Sequence, residues 1–294
     1  MSYPIDATQQ PTPLERFDAL PRRRVRVAGG HEISAVDIGV GDPPVVLVHG
    51  NPTWSFQWRD IIPAVAARRR TIAPDLLGFG RSDHPRIEYG WDVHLEAIST
   101  LLDTIPPHVL VAHDWGASFA AGYAIDHPDR VLELILMEPL VLTETWDDYD
   151  AARRARFEAF RDPARNRDLI EVQNRMVEEV RNGVARPMTE AEMGGYRAPY
   201  GTPADRVPIR RFAEMKPIGD DSETWAAFRG IEDGLRTLRM PVRLLVVDSG
   251  PLMPPAMVER LRGLIPHLEV ERLGPGRHHF QEDYPVQIAA AILR

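Results

Sequence analysis

The sequence contains no cysteine, which excludes a disulfide framework, a thiolate zinc site and a cysteine nucleophile. Of its 35 basic residues only Lys216 is a lysine, a scarcity we read as genomic base composition rather than function. Acidic residues number 43, for a formal net charge of -8. The positive field that a phosphate backbone demands is therefore missing, and nucleic acid is not an expected partner. No apolar run reaches the roughly 18 residues that cross a bilayer, and the opening MSYPIDATQQPTPLERF has no apolar signal core. The expectation is a cytoplasmic protein with no membrane partner. Repeats and low-complexity tracts are absent too.

What is present is the composition of a globular chain with a sizeable core. Hydrophobic residues are 44% and charged residues 27% of 294, and 27 prolines imply many loops of fixed geometry. Residues 1–20 read as a polar arm on the surface. Residues 24–27 and 33–38 suggest an antiparallel strand pair. Residues 45–48 (VVLV) form a continuous apolar run, as a strand covered on both faces requires. Similar runs recur at 71–74, 109–112, 134–137, 242–247 and 268–272, with helical patterns at 93–104 and 117–126. This alternation predicts an α/β fold with a mostly parallel eight-stranded sheet. From 143 to 212 the rhythm breaks into charged helical segments (AARRARFEAFR, LIEVQNRMVEEVRN, TEAEMGGYR). We expect a main domain made of residues 1–142 and 213–294, with 143–212 inserted as a helical cap over the site. An ordinary subdomain packed elsewhere is the alternative.

The segment VLVAHDWG (109–116) carries the chemistry. A buried strand runs into Ala112-His113-Asp114-Trp115-Gly116 and then a helix, the small-x-nucleophile-x-small pattern of a nucleophile elbow with Asp114 at the tip. A sharp turn of this kind crowds the backbone, so bulk at 112 or 116 would clash. The plainer alternative is that Asp114 merely caps the helix. A carboxylate nucleophile can displace a leaving group from a saturated carbon, giving an alkyl ester that water must then hydrolyse. That needs a base, an acid to orient it, and an oxyanion hole.

The base expected is His278, on the Gly-Pro-Gly loop after the last strand, with His279 beside it as a possible misassignment; His113 reads as packing. Glu138 and Asp248 both end strands and compete as the orienting acid, Glu138 being favoured because its strand neighbours that of Asp114. Oxyanion donors are expected from Asn51 and Trp115. The Asn51 amide and the Trp115 indole N–H are also neutral donors suited to a departing halide. A core aromatic is the alternative for Trp115 alone.

HGNPTWSFQWR (49–59), PDLLGFGRSDHP (74–85), AHDWG (112–116), LMEP (136–139), ETWDDY (144–149), RPMTEAEMGGYRAPY (186–200) and GPGRHHFQED (274–283) together resemble the haloalkane dehalogenases of the α/β-hydrolase fold. The likeness spans nearly everything after residue 20, and is strongest to the branch whose acid is a Glu after the sixth strand. It implies Asp114 as nucleophile, His278 as base and Glu138 as its partner, with Asn51 and Trp115 binding halide. It implies water and a small halogenated alkane as reactants, with no cofactor and no metal. His279, Arg277, Pro139 and the Asp248-Ser-Gly-Pro loop depart from the family pattern and bear on pocket polarity. Gly78 and Gly80 are assigned no ligand. An epoxide hydrolase sharing the Asp elbow is the competing enzyme. It wants phenols from the cap, for which Tyr196 and Tyr200 are present. A luciferase-like monooxygenase on the same scaffold and a non-enzymatic ligand sensor are further alternatives. Oligomeric state is not legible.

Overall fold

A computed structural model describes residues 10–294. Eight strands form one sheet: β1 (Arg22–Arg26), β2 (Glu32–Ile38), β3 (Val45–Val48), β4 (Thr71–Pro74), β5 (His108–His113), β6 (Val131–Met137), β7 (Val242–Val247) and β8 (Glu269–Gly274). Their order is β1-β2-β4-β3-β5-β6-β7-β8. β1 and β2 are antiparallel, as are β2 and β4, while every pairing from β4 through β3 to β8 is parallel. All four residues of β3 and all six of β5 are buried, which explains why VVLV and VLVA show no polar alternation.

Seven helices are introduced here in chain order: α1 (Pro13–Asp18), α2 (Ile62–Ala66), α3 (Trp91–Asp103), α4 (Trp115–Asp126), α5 (Ala151–Arg161), α6 (Arg175–Glu178) and α7 (Glu190–Arg197). Then follow α8 (Val207–Glu214), α9 (Trp225–Leu235), α10 (Pro255–Leu264) and α11 (Pro285–Ile292). α4 packs on β5 and β6 with α3 and α9 beside it, and α11 packs on α2. Among the described residues no helix is long and apolar enough to cross a membrane.

Two expectations change. Of the polar arm foreseen over 1–20, residues 1–9 lie outside the described residues, but the rest holds α1. Thr12 and Glu15 close a capping box, and Phe17 is buried edge-on against Trp54 and Phe56. The burial of one aromatic outweighs the polar composition around it. The helical stretch expected through LIEVQNRMVEEVRN is broken instead. A π-helical turn (Arg167–Val172) ends before Asn174, which adopts a left-handed φ of 55° that Asn tolerates better than most residues, and α6 starts anew. Between β6 and β7 an isolated parallel bridge joins Glu144 to Ile218.

Candidate active site

The chain runs from β3 to β4 on one side of β3 and later to β5 on the other. At such a reversal the loops leaving the carboxyl ends of the strands diverge and open a crevice. Asn51 follows β3 there and Asp114 follows β5. Asp114 sits at φ 54°, ψ -126°, a strained position for a residue with a Cβ. The turn is tight: a Cβ on Gly116 would lie 2.3 Å from the His49 carbonyl oxygen, and one on Gly50 would lie 2.4 Å from Asp114 Oδ1. Asp114 occupies the N-cap position of α4, yet its side chain makes no capping bond. Its Oδ1 instead accepts the Asn51 backbone N–H at 2.9 Å, so the plainer capping alternative does not describe it. Burial pushes the Asp114 carboxyl above its ordinary range, opposed by His278, the Trp115 and Asn51 amides and Lys216.

His278 Nε2 stands 3.5 Å from Asp114 Oδ2, and its Nδ1 stands 3.2 Å from Glu138 Oε2. Glu138 is 1% exposed, and the same Oε2 accepts the Leu252 N–H at 2.9 Å. Gly250 presses on the other oxygen, where an added Cβ would lie 2.1 Å from Oε1. Asp248 turns the opposite way, to Arg272 at 2.6 Å on the surface. Of the two candidate acids, the fold brings Glu138 to the imidazole and leaves Asp248 outside. His279 packs edge-on to His278 with centroids 4.6 Å apart, and its N–H donates to Gly183 at 2.7 Å. Burial holds His279 and His113 well below the usual imidazole range, so both are neutral. Ring nitrogens of His113, His278 and His279 lie within 4.8 Å of one another, the grouping among the described residues that a metal ion would meet. His278 is already engaged there by Glu138, and His113 Nε2 by the His278 carbonyl oxygen.

Asn51 Nδ2 donates to the Ile209 carbonyl at 3.3 Å, which leaves its second amide proton free for a ligand. Trp115 lines the cavity, braced edge-on by Phe212 and Phe228 at 5.0 and 5.7 Å. Its indole N–H has no acceptor among the described residues. His49, unremarked in the sequence, steadies this loop: its Nε2 accepts the Leu76 N–H at 2.9 Å and its Nδ1 donates to the Gly50 carbonyl at 2.8 Å. The Gly78/Gly80 turn is structural, because Gly80 leaves room for the Asp75 carboxylate, which receives the Ser55 and Arg81 N–H groups.

Asn51, Asp114, Trp115, His278 and His279 line a cavity of about 460 Å3. The segment between β6 and β7 supplies part of its wall, including Phe157, Met176, Val180 and Phe212. Tyr196 and Tyr200 are outside that wall; their hydroxyls donate to Glu282 and to the Thr53 carbonyl oxygen. The phenols wanted by an epoxide hydrolase are thus spent on packing. Lys216, set aside as base composition, is in the wall.

A family model described as alpha/beta hydrolase fold matches residues 43–285. A haloalkane dehalogenase of Mesorhizobium japonicum is 37% identical over 266 residues, covering 88% of this chain and 86% of that protein. One from Bradyrhizobium diazoefficiens is 34% identical over 286 residues, covering 92% of each. Among solved structures, a putative ancestral haloalkane dehalogenase superposes with a TM-score of 0.86 at 36% identity, covering 92% of this chain and 98% of its own. The haloalkane dehalogenase DbeA from Bradyrhizobium elkani gives 0.87 at 33% identity, covering 93% and 97%.

Proposed function

The chain belongs to the haloalkane dehalogenases within the alpha/beta hydrolase fold family, hydrolases of the carbon–halogen bond, and we propose that Asp114, His278, Glu138, Asn51 and Trp115 carry the reaction here. Asp114 Oδ2 attacks the carbon bearing the halogen; the C–O bond forms as the C–X bond breaks, and the halide leaves with the bonding pair. The Asn51 amide and the Trp115 indole receive that halide. Both are neutral, which suits a large, weakly basic ion that needs little charge compensation. The two donors hold the halide without contributing a buried charge of their own.

His278 then takes a proton from water, whose oxygen adds to Cγ of the alkyl ester. Oδ1 becomes the oxyanion, already facing the Asn51 N–H at 2.9 Å, with the Trp115 N–H as second donor. Glu138 orients the imidazole and stabilises its cationic form. Collapse expels the alkoxide, which takes the proton from the His278 imidazolium and leaves as alcohol, and the Asp114 carboxyl gives up one proton to return to the carboxylate. Every step is a displacement or an addition, so the chemistry calls for no redox cofactor. We extend the proposal to a cytoplasmic enzyme whose residues 143–212 cap the site.

The observation that supports this reading is the division of labour on one carboxylate, with an amide donor on Oδ1 and an imidazole 3.5 Å from Oδ2. Bromide release from 1-bromobutane and 1,2-dibromoethane in metal-free buffer tests it. We expect bromide and alcohol in equal amounts; no release across a broad haloalkane panel overturns it.

A further inference from the structure

Lys216 follows α8, is 4% exposed, and places its ammonium against Glu144 and 2.6 Å from the Tyr149 hydroxyl. Arg153 holds the other oxygen of Glu144 at 3.0 Å. Two cations therefore share one carboxylate, and the cluster carries one uncompensated positive charge when Lys216 is protonated. The Tyr149 hydroxyl accepts from Lys216 and donates to Glu144 at 2.7 Å, so both partners are satisfied. The third proton of the ammonium has no acceptor among the described residues. The rings of Tyr149 and Phe157 flank the nitrogen at 5.3 and 5.1 Å. Desolvating a second cation beside a single carboxylate is costly, so an arrangement of this kind is stable at its best with an anion present.

The surrounding wall points the same way. The chain as a whole is acidic, at -8, yet the cavity lining holds four basic side chains (Lys216, Arg153, Arg156, Arg277) against two acidic ones, Asp114 and Glu179. Arg277 bonds to the Asn182 carbonyl at 3.0 Å and pairs with no carboxylate among the described residues. Arg156 is paired with Glu179 and Arg153 with Glu144, so the positive excess rests on Lys216 and Arg277, and such an excess in a cleft raises the local concentration of anions. Alkylation neutralises Asp114 and widens the positive excess.

We propose that the cavity takes haloalkanes bearing a terminal carboxylate, the Lys216 ammonium receiving the carboxylate while the halogenated carbon lies at Asp114. This rests on Asp114 being the nucleophile. The substrate carboxylate is unchanged in the reaction: halide leaves with the bonding pair, water supplies the new hydroxyl, and the product is the hydroxyalkanoate with one proton and one halide ion. Arg277, which pairs with no carboxylate among the described residues, draws the anion in, while Arg156 is held by Glu179 at 2.7 Å.

Bromide release from 5-bromopentanoate and from 1-bromopentane, measured side by side on the full chain, tests this. The ratio of kcat/KM, anionic over neutral, is expected to be about tenfold or more higher in the wild type than in Lys216→Met, with Lys216→Arg keeping most of the preference. Equal ratios in wild type and Lys216→Met, with bromide released from both substrates, overturn the proposal and leave the role of Asp114 standing. Bromide from neither substrate overturns the functional reading, and this inference with it. If Lys216→Met does not fold, unreactive pentanoate and pentanamide decide as inhibitors of bromopentane hydrolysis by the wild type. Inhibition about tenfold stronger by the anion supports the proposal, and equal inhibition overturns it.

Discussion

His113 Nε2 lies 2.9 Å from the carbonyl oxygen of His278, so the last residue of β5 holds the loop that carries the proposed base. Burial keeps His113 neutral, and its single ring proton sits on Nε2, where it donates to that carbonyl. The nucleophile and the base are thereby fixed to each other through the residue that precedes Asp114.

His113→Leu removes this tie while keeping an apolar side chain beside the elbow. Leaving this part-buried carbonyl without its partner costs about 1 kcal/mol of stability. The freed loop is expected to lower kcat for bromide release about tenfold or more, since loosened positioning of a base slows the step it serves. Denaturant unfolding and halide release on the same preparation check both.

His278→Phe fills the site of the imidazole without supplying a base. Displacement at Asp114 still proceeds and hydrolysis stalls, so one equivalent of bromide and an alkyl adduct on the Asp114 peptide are expected. Intact and peptide mass spectrometry read this directly; turnover without adduct removes His278 from the base role.

Gly250→Ala pushes a methyl group to 2.1 Å from Glu138 Oε1, against a carboxylate that is 1% exposed and has little room to retreat. Either Glu138 or the loop carrying Gly250 must shift, which disturbs the contact with His278, and a fall in kcat of about a hundredfold is expected. Asp248→Asn, two residues earlier and paired with Arg272 at the surface, is expected to leave kcat nearly unchanged. Comparable losses in the two variants would return Asp248 to contention.

The carboxylate preference proposed for Lys216 carries a pH signature. Lys216 faces Glu144 and Tyr149 from the segment after β6, Arg153 from α5 and Asp114 from the elbow. Burial lifts the Tyr149 phenol, which stays protonated, and pulls Lys216 down to about 7 against the opposing pull of Asp114. The cationic form that holds an anion thus prevails below about 7 and is lost above it. The kcat/KM ratio of 5-bromopentanoate to 1-bromopentane is expected to fall as pH rises through that value. Dividing by the neutral substrate cancels the titration of the base, which both substrates share. A flat ratio speaks against Lys216 as the anion's partner.

The central strands were plain in the sequence because full burial leaves no polar punctuation in runs such as VVLV and LILM. The elbow was plain as well, since the crowding at Gly116 admits few residue types. Glu138 and Asp248 could not be separated as firmly, because both end strands. What divides them is neighbourhood and facing: β6 lies beside β5, while Asp248 turns to Arg272 of β8. Phe17 was hidden among polar residues because burial of its ring depends on Trp54 and Phe56, which come much later in the chain. Lys216 was illegible for a similar reason. Nothing near it in sequence announces a cavity, and its partners Glu144 and Tyr149 lie at the opposite end of the inserted segment.

A single walled-in lysine also gives the protein an unusual chemical address. An amine that gives up its proton near neutrality is a nucleophile under mild conditions. Small aldehydes trapped by reduction, or compact acylating reagents, would mark one internal position besides the α-amino group. Tagging efficiency then becomes a gauge of how wide the passage to the interior stands, read from the protein without any substrate.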